Sequence, residues 1–347
     1  MTSRLTVAVV IPFYNGSSFI RRAVVSVQNQ TRPVDDVVIV NDGSSAAETE
    51  FIEEFAAESG IRLVHQSNGG QSVARNVGAS LTTSTHLCFL DQDDYFVPTH
   101  VEVLEAALAG SANATFDYAY GDADRVDMSG QMVHPRIATT RSHHPKLTLR
   151  DFVAEDAFIL PSASMVSRRL FESVGGFEPA LRGYEDDDFF LRAFLGGFTG
   201  RFVTESVLGW TLNPGSSSHS PLMSESRLTY LGRLTEMLSV RSQDEQQLLP
   251  TVVYPRFLRS FAFELVHQRS IGSVSNRPAE LFLAADRMAR SISSDLPRRT
   301  RRLVAMVRLF ARLSIRTQIA VARLLRSWPI RVVGRVAVLA LGRSHRH

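Results

Sequence analysis

Residues Phe89-Leu90-Asp91-Gln92-Asp93-Asp94 end an apolar run in three carboxylates within four positions. Like charges this close repel, and a bound cation is what relieves the repulsion. Hard divalent ions such as Mg²⁺ or Mn²⁺ take carboxylate oxygens and share them with substrate phosphates. One reading is therefore a metal-assisted phosphate site; the other is a solvated acidic turn before a helix starting near Pro98. A second acidic group, Glu185-Asp186-Asp187-Asp188, follows Gly183-Tyr184 and precedes Phe189-Phe190-Leu191-Arg192. It suits a general base that strips a hydroxyl of its proton. It equally suits a helix N-terminus, where carboxylates complement the dipole. A third segment, Asn68-Gly69-Gly70-Gln71-Ser72-Val73-Ala74-Arg75-Asn76-Val77-Gly78, sets a glycine pair before a helix carrying an arginine. Helix N-termini and arginine both favour phosphate oxygens. Asn41-Asp42-Gly43-Ser44 reads by itself as a turn, since Asp-Gly tolerates unusual backbone angles.

The elements that must position these groups alternate between strand and helix over the first ~120 residues. Val7–Ile11, Val37–Val40, Ile61–Val64 and Thr85–Leu90 are predicted strands. Helices are predicted over Ser17–Asn29, Ala46–Ser59, Gln71–Ser80 and Pro98–Ala109. This alternation predicts an α/β fold with a doubly wound sheet, whose ligands sit at the carboxyl ends of the strands. Pro12-Phe13-Tyr14-Asn15, Asn41–Ser44 and the Asp91 cluster all lie at such ends. Further on, short strands are expected near 116–120, 162–167 and 201–203, and helices over 168–174 and 187–195. Residues 222–295 read as helical, and Asn213–Ser220, rich in Gly, Pro and Ser, reads as a loop.

At 347 residues the chain is long enough for one large α/β domain and an appendage. Its one cysteine, Cys88, excludes a disulfide framework or cysteine metal cluster and fits a reducing compartment. The N-terminus leads straight into a strand-like run, so neither a secretory signal nor a transmembrane helix is expected. The net charge of +3 conceals an asymmetry: residues 1–297 carry 25 basic and 35 acidic side chains, whereas 298–347 hold 13 arginines and no acid.

Taken in order, Val9–Asn15, Val38–Ser44, Asn68–Gly78 and Phe89–Asp94 resemble the motifs of family 2 glycosyltransferases of the GT-A fold, over roughly residues 5–215. Gly183–Arg192 resembles the Glu-Asp motif of the same family. The resemblance implies a GT-A type mixed sheet flanked by helices, a nucleotide-sugar donor carrying UDP or dTDP, and inverting transfer to a glycan or lipid-linked acceptor. By motif, Pro12, Tyr14 and Asp42 would line the base pocket, Asp42 accepting a base N–H, and Arg75 would face the nucleotide. Asp91 would lie near the ribose and, with Asp93, at a Mg²⁺ or Mn²⁺ ion; Asp94 is the alternative ligand. Asp186 would be the general base, with Glu185 and Asp187 as acceptor contacts or caps. The sequence departs from the family where a histidine commonly precedes Pro-Gly-Ser: Asn213 stands there, with Thr211 two residues before it. His219 would be a substitute from the same loop, while His143 and His144 read as loop residues.

Residues 1–220 are thus expected to form the glycosyltransferase domain, with a nucleotide-binding half (1–120) and an acceptor half (121–220). A helical region (221–297) and a basic amphipathic tail (298–347) would follow. On one continuous helix, Arg298, Arg301, Arg308, Arg312, Arg316, Arg323 and Arg326 fall within a stripe about 80° wide. Leu303, Met306, Val307, Phe310 and Leu313 fall opposite. Such a helix suits an anionic membrane surface, on the inner face of the cell membrane of a cytoplasmic protein; packing on the acidic body is the alternative. No nucleic-acid partner is expected, since no nucleic-acid module accompanies the charge. Two other functions compete: a catalytically silent sugar-nucleotide-binding or scaffold protein, and a sugar nucleotidyltransferase. The second needs a glycine-rich basic loop after the first strand, which Pro12–Gly16 lacks.

Overall fold

The computed structural model describes residues 5–109, 116–213, 222–292 and 296–327. It divides into two compact units, Met1–Phe152 with Asp156–Met223, and Val153–Glu155 with Ser224–His347.

The first unit opens with β1 (Val7–Phe13), α1 (Ser17–Gln28), β2 (Asp36–Asp42), α2 (Ala46–Ser59), β3 (Arg62–Gln66), α3 (Gln71–Ser80) and β4 (His86–Phe89). Val7 to Ile11 are wholly buried, as an unbroken apolar run in a two-sided parallel sheet must be. Then come β5 (Tyr95–Phe96), α4 (His100–Ala109), β6 (Tyr118–Val126), β7 (Met132–His134), α5 (Ile137–Arg141) and α6 (Leu149–Val153). The unit closes with β8 (Ser164–Ser167), α7 (Arg168–Ser173), α8 (Glu185–Leu195) and β9 (Gly200–Thr211). The sheet order is β3-β2-β1-β4-β8-β6-β9-β5, with β7 beside β6. β3, β2, β1 and β4 are parallel, while β8 is antiparallel to both β4 and β6. This is the α/β sheet that the alternating pattern implied, and its mixed strand directions are those that the resemblance implied.

Parallel pairing has a direct consequence for the chemistry. Phe13 stands in register with Asn41, and Asp42 with Gln66, so the tips of β1, β2 and β3 meet at one edge. The segment after β4 leaves at the same edge and carries Asp91. Two strands differ from expectation. β6 and β9 are far longer than the short strands predicted, and they pair in parallel with register shifts near Asp122. The outer half of β9, through Thr204 and Glu205, is exposed, so no apolar run marked it. β5 has only two residues, and pairing with β9 alone makes it a strand.

Close packing of α3 on the sheet depends on Gly78. A Cβ there would lie 2.3 Å from Val10 Cγ1 and 3.1 Å from Val40 Cγ2.

The second unit is helical, as expected: α9 (Leu222–Ser239), α10 (Gln243–Gln246), a π-helical stretch (Leu249–Val253), α11 (Tyr254–Ser270), α12 (Arg277–Ile292), α13 (Arg298–Arg312) and α14 (Ile315–Ser327). The single tail helix that the sequence suggested is broken. Leu313 is extended, and Ser314 caps α14 by accepting the Thr317 N–H at 3.2 Å. The phase of the arginine stripe is therefore lost between α13 and α14. Buried Gln318 holds the break, donating to Ala311 and Leu313 carbonyls and accepting from the buried Arg269 Nε at 2.6 Å. Arg308 is half-buried and makes a two-pronged ion pair with fully buried Asp286, at 2.6 and 2.8 Å. The apolar run expected over 330–341, with Trp328 and Pro329, lies outside the described residues. No described helix is long and apolar enough to cross a membrane.

Overpacking a tight helix–sheet contact costs about 1–3 kcal/mol. Gly78→Val should therefore lower stability by that amount in urea unfolding, and an unchanged midpoint would show that α3 does not sit against Val10.

Candidate active site

The centre of the site is Arg75, on α3 and 1% exposed. Its Nη2 donates to Asp91 Oδ1 at 2.5 Å and its Nη1 to Glu185 Oε1 at 3.0 Å. The guanidinium lies 5.1 Å from the Phe177 ring centroid, and Nε has no hydrogen-bond partner. Burial alone would lower this group's pKa, but the charges of Asp91 and Glu185 more than offset it and hold Arg75 above its ordinary value. Arg75, expected to face the nucleotide, directs its two Nη groups to two protein carboxylates. Glu185, expected at the acceptor, is buried on Arg75 and also accepts from Gln71.

The four acids that open α8 thus separate into different tasks. Asp187 Oδ1 accepts the Ala157 N–H at 2.8 Å, and Asp188 Oδ2 pairs with Arg192 Nε at 2.7 Å. Asp186 is half-buried, and Oδ1 accepts the N–H of Asp187 at 2.8 Å. Burial, together with the charges of Asp187 and Glu185, raises its carboxyl well above the usual range, against the pull of Arg75. Tyr184 enters the helix with φ +64°, a left-handed conformation costly for a non-glycine residue. Such strain survives where neighbouring contacts over-determine the backbone, here through the Glu185–Arg75 pair one residue on.

At the tip of β4, Asp91 takes the Arg75 charge on one oxygen, and its N–H donates to Ser162 Oγ at 3.1 Å. Asp93 Oδ2 accepts from Asn213 Nδ2 at 3.0 Å. Burial and the charge of Asp91 push the Asp93 carboxyl up. Asp94, the alternative metal ligand, is 2% exposed and accepts the Thr211 N–H at 2.9 Å. It ties the acidic turn to β9. Among the described residues, no group of three or more His, Cys, Asp or Glu is arranged to hold a metal.

The base-pocket candidates meet at the neighbouring tips. Pro12 is half-buried and Tyr14 exposed; the Tyr14 backbone pairs with the Gln92 side chain at 2.9 and 3.0 Å. Gly16 makes room for that amide, since a Cβ would come within 2.2 Å of Gln92 Oε1. Asp42 Oδ1 accepts from Gln66 Nε2 and the Gly69 N–H, both at 2.7 Å, and Oδ2 from the Gly70 N–H at 2.8 Å. The carboxylate therefore fixes the glycine loop. A carboxylate has about four acceptor sites, so three protein donors leave one.

Sequence reasoning passed over Arg22. From α1 its Nη2 donates to the Asp93 carbonyl at 2.7 Å and to Thr211 Oγ1 at 2.8 Å, with the guanidinium over the Tyr95 ring. Its partners lie 71 and 189 positions away, so no local pattern marks it. His144 lies in a loop, where it stacks on Phe202. Residues 214–220, including His219, lie outside the described residues.

Removing the arginine side chain would leave Glu185 buried and unpaired, a cost of about 3–5 kcal/mol. Arg75→Leu should lower the denaturation midpoint accordingly, whereas Arg75→Leu combined with Glu185→Leu should recover part of the loss. Equal destabilisation in the single and double variants would show that the ion pair is not what is lost.

Residues 8–175 match the model of Glycosyl transferase family 2. The uncharacterized glycosyltransferase EpsJ of Bacillus subtilis is 29% identical over 223 residues, 62% of this chain and 63% of that protein. The uncharacterized glycosyltransferase YibD of Escherichia coli is 37% identical over 105 residues, 30% of each chain. The chain thus spans less than two thirds of the length of either relative. Among solved structures, S. aureus TarS 1-349 in complex with UDP-GlcNAc superposes with a TM-score of 0.62 at 19% identity, over 92% of this chain and 90% of that one. The mannosyltransferase PcManGT of Pyrobaculum calidifontis, in complex with GDP-Man and Mn²⁺, gives 0.53 at 16% identity, over 94% and 89%. At such identities the fold is what is shared, and it is the GT-A fold. Four of the motifs lie within the matched residues, and with these likenesses they identify residues 8–175 as a glycosyl transferase family 2 domain.

Proposed function

We propose that the protein is a metal-dependent, inverting glycosyltransferase. It would move a sugar from a UDP- or dTDP-linked donor to a hydroxyl of a glycan or lipid-linked acceptor, in cell-surface polysaccharide or cell-wall glycan synthesis. Residues 1–220 would carry the catalysis, with the donor held by 1–120 and the acceptor by 121–220. Residues 221–297 would form a helical extension, and 298–347 would hold the protein at the inner face of the cell membrane. The observation that carries this reading is the Arg75 bridge. It ties the acidic turn at Asp91 to Glu185, the residue next to Asp186 at the start of α8.

In this reading Tyr14 and Pro12 flank the base, and Asp42 offers its remaining acceptor site to a base N–H while holding the Gly69-Gly70 loop. Asp91 and Asp93 fit a hard cation: their donors are carboxylate oxygens, and such an ion relieves the burial and the Asp91 charge that together raise the Asp93 carboxyl. Bound there, Mg²⁺ or Mn²⁺ would supply Lewis-acid neutralisation of charge on the departing diphosphate. Asp186 takes the proton from the acceptor hydroxyl as that oxygen bonds to the anomeric carbon. The bond to the diphosphate breaks on the opposite face, and a single displacement inverts the centre. Its raised carboxyl pKa means that Asp186 is ionised, and able to act as base, only above the ordinary carboxylate range. Transfer should then rise with pH through that value and fall below it.

A second reading, donor binding without turnover, rests on Asn213, whose amide contacts Asp93 where the family commonly has histidine. A thermal-shift screen of UDP and dTDP sugars, with and without Mn²⁺, paired with an assay of released nucleoside diphosphate, separates the two. A ligand at a hundredfold excess over its Kd stabilises by about 2.7 kcal/mol. Asp93→Asn should abolish the Mn²⁺-dependent shift. Asp186→Asn should keep it and lose about 10²–10⁴-fold in turnover. Normal turnover in both variants would end the site assignment; a shift without any turnover in the wild type would favour the silent reading.

A further inference from the structure

The tail helices do not present their arginines and apolar residues as the sequence suggested, and the difference points to one particular face. α13 is docked by Thr300, Val304 and Val307, all buried, and by the Arg308–Asp286 ion pair. At 100° per residue these docked positions occupy one side of the helix. The rotation so imposed turns Met306 and Leu309 outward, 57% and 66% exposed. Arg298, Arg302 and Arg312 share that outward face, within an arc about 120° wide, and are exposed as well. Large apolar side chains interspersed with arginines on an outward face suit neither solvent nor a protein core. They suit the boundary between lipid headgroups and acyl chains, where apolar groups insert and guanidinium groups meet phosphate.

We propose that this outward face of α13 is the surface by which the protein docks on an anionic lipid bilayer, Met306 and Leu309 entering the interface and Arg298, Arg302 and Arg312 contacting headgroup phosphates. The proposal deepens the membrane location stated above and rests on it. Charge complementarity selects the occupant. Residues 296–347 hold no acidic side chain, so the terminal segment 328–347, itself carrying four arginines, cannot neutralise this face. A second copy of the same face would repel it for the same reason. An anionic surface neutralises it directly, and attraction to basic residues there falls off within a Debye length.

The test is co-sedimentation of the full chain with phosphatidylcholine vesicles, with and without phosphatidylglycerol. The wild type should bind only the anionic vesicles, and less at high salt. Met306→Ser with Leu309→Ser should reduce the vesicle-bound partition about tenfold, since two buried side chains are lost from the interface. Arg298→Glu with Arg302→Glu should remove the preference for phosphatidylglycerol. All four positions are exposed, so the UDP-induced thermal shift should be unchanged and certify folding. If both double variants bind like the wild type, the face is wrong; should deletion of 328–347 then release the protein, the membrane location stands and the contact lies in that segment. A wild type that ignores anionic vesicles would overturn the location itself. A concentration-dependent dimer abolished by Met306→Ser with Leu309→Ser would show that a second copy covers the face.

Discussion

A single buried cation organises the carboxyl end of the parallel strands. Arg75 has no route to solvent, so its charge must be met inside the protein. Asp91 and Glu185 meet it from two different parts of the chain, 16 and 110 positions away. Because the pairing is buried and directional, moving either carboxylate would strand the arginine. The turn after β4 and the N-terminus of α8 are thereby held in a fixed relation. Everything proposed about donor and acceptor chemistry depends on that relation.

Around this bridge the other acidic groups are sorted by what they touch. Asp94 and Asp187 accept backbone N–H groups of Thr211 and Ala157, and Asp188 pairs with Arg192. These carboxylates assemble the walls. Asp93 and Asp186 are left crowded by like charge and raised above the ordinary range, as groups are that await a cation or a proton. Arg22 supports the same turn from behind, joining the Asp93 carbonyl to β9. The acidic charge is therefore uneven: met by Arg75 at Asp91 and Glu185, and crowded at Asp93 and Asp186.

The helical unit follows the same logic with opposite sign. Asp286 is buried without solvent and is met by Arg308 and Arg290. Together with buried Thr300, Val304 and Val307, this acid sets the rotation of a helix that carries a surplus of arginine. These contacts choose the face, and the outward mixture of Met306, Leu309 and arginines follows from them.

Much of this was legible in the residues themselves. The buried run Val7–Ile11 and the alternation after it specified parallel strands, and parallel pairing necessarily gathers Tyr14, Asp42 and Asp91 at one edge. Periodicity also sufficed for α1 to α4 and the helices beyond Leu222, because each buries one face of a regular element. What local pattern could not supply was the choice among equivalent groups. Four consecutive acids at 185–188 look alike along the chain. Only the folded molecule gives one to Arg75, one to Ala157, one to Arg192, and Asp186 to the N–H of Asp187. Likewise the tail read as one continuous stripe until Ser314 broke it and Asp286 helped set its rotation. Secondary structure follows from contacts a few residues apart, whereas burial and charge pairing are settled by partners 16 to 189 positions away, which no stretch of sequence contains.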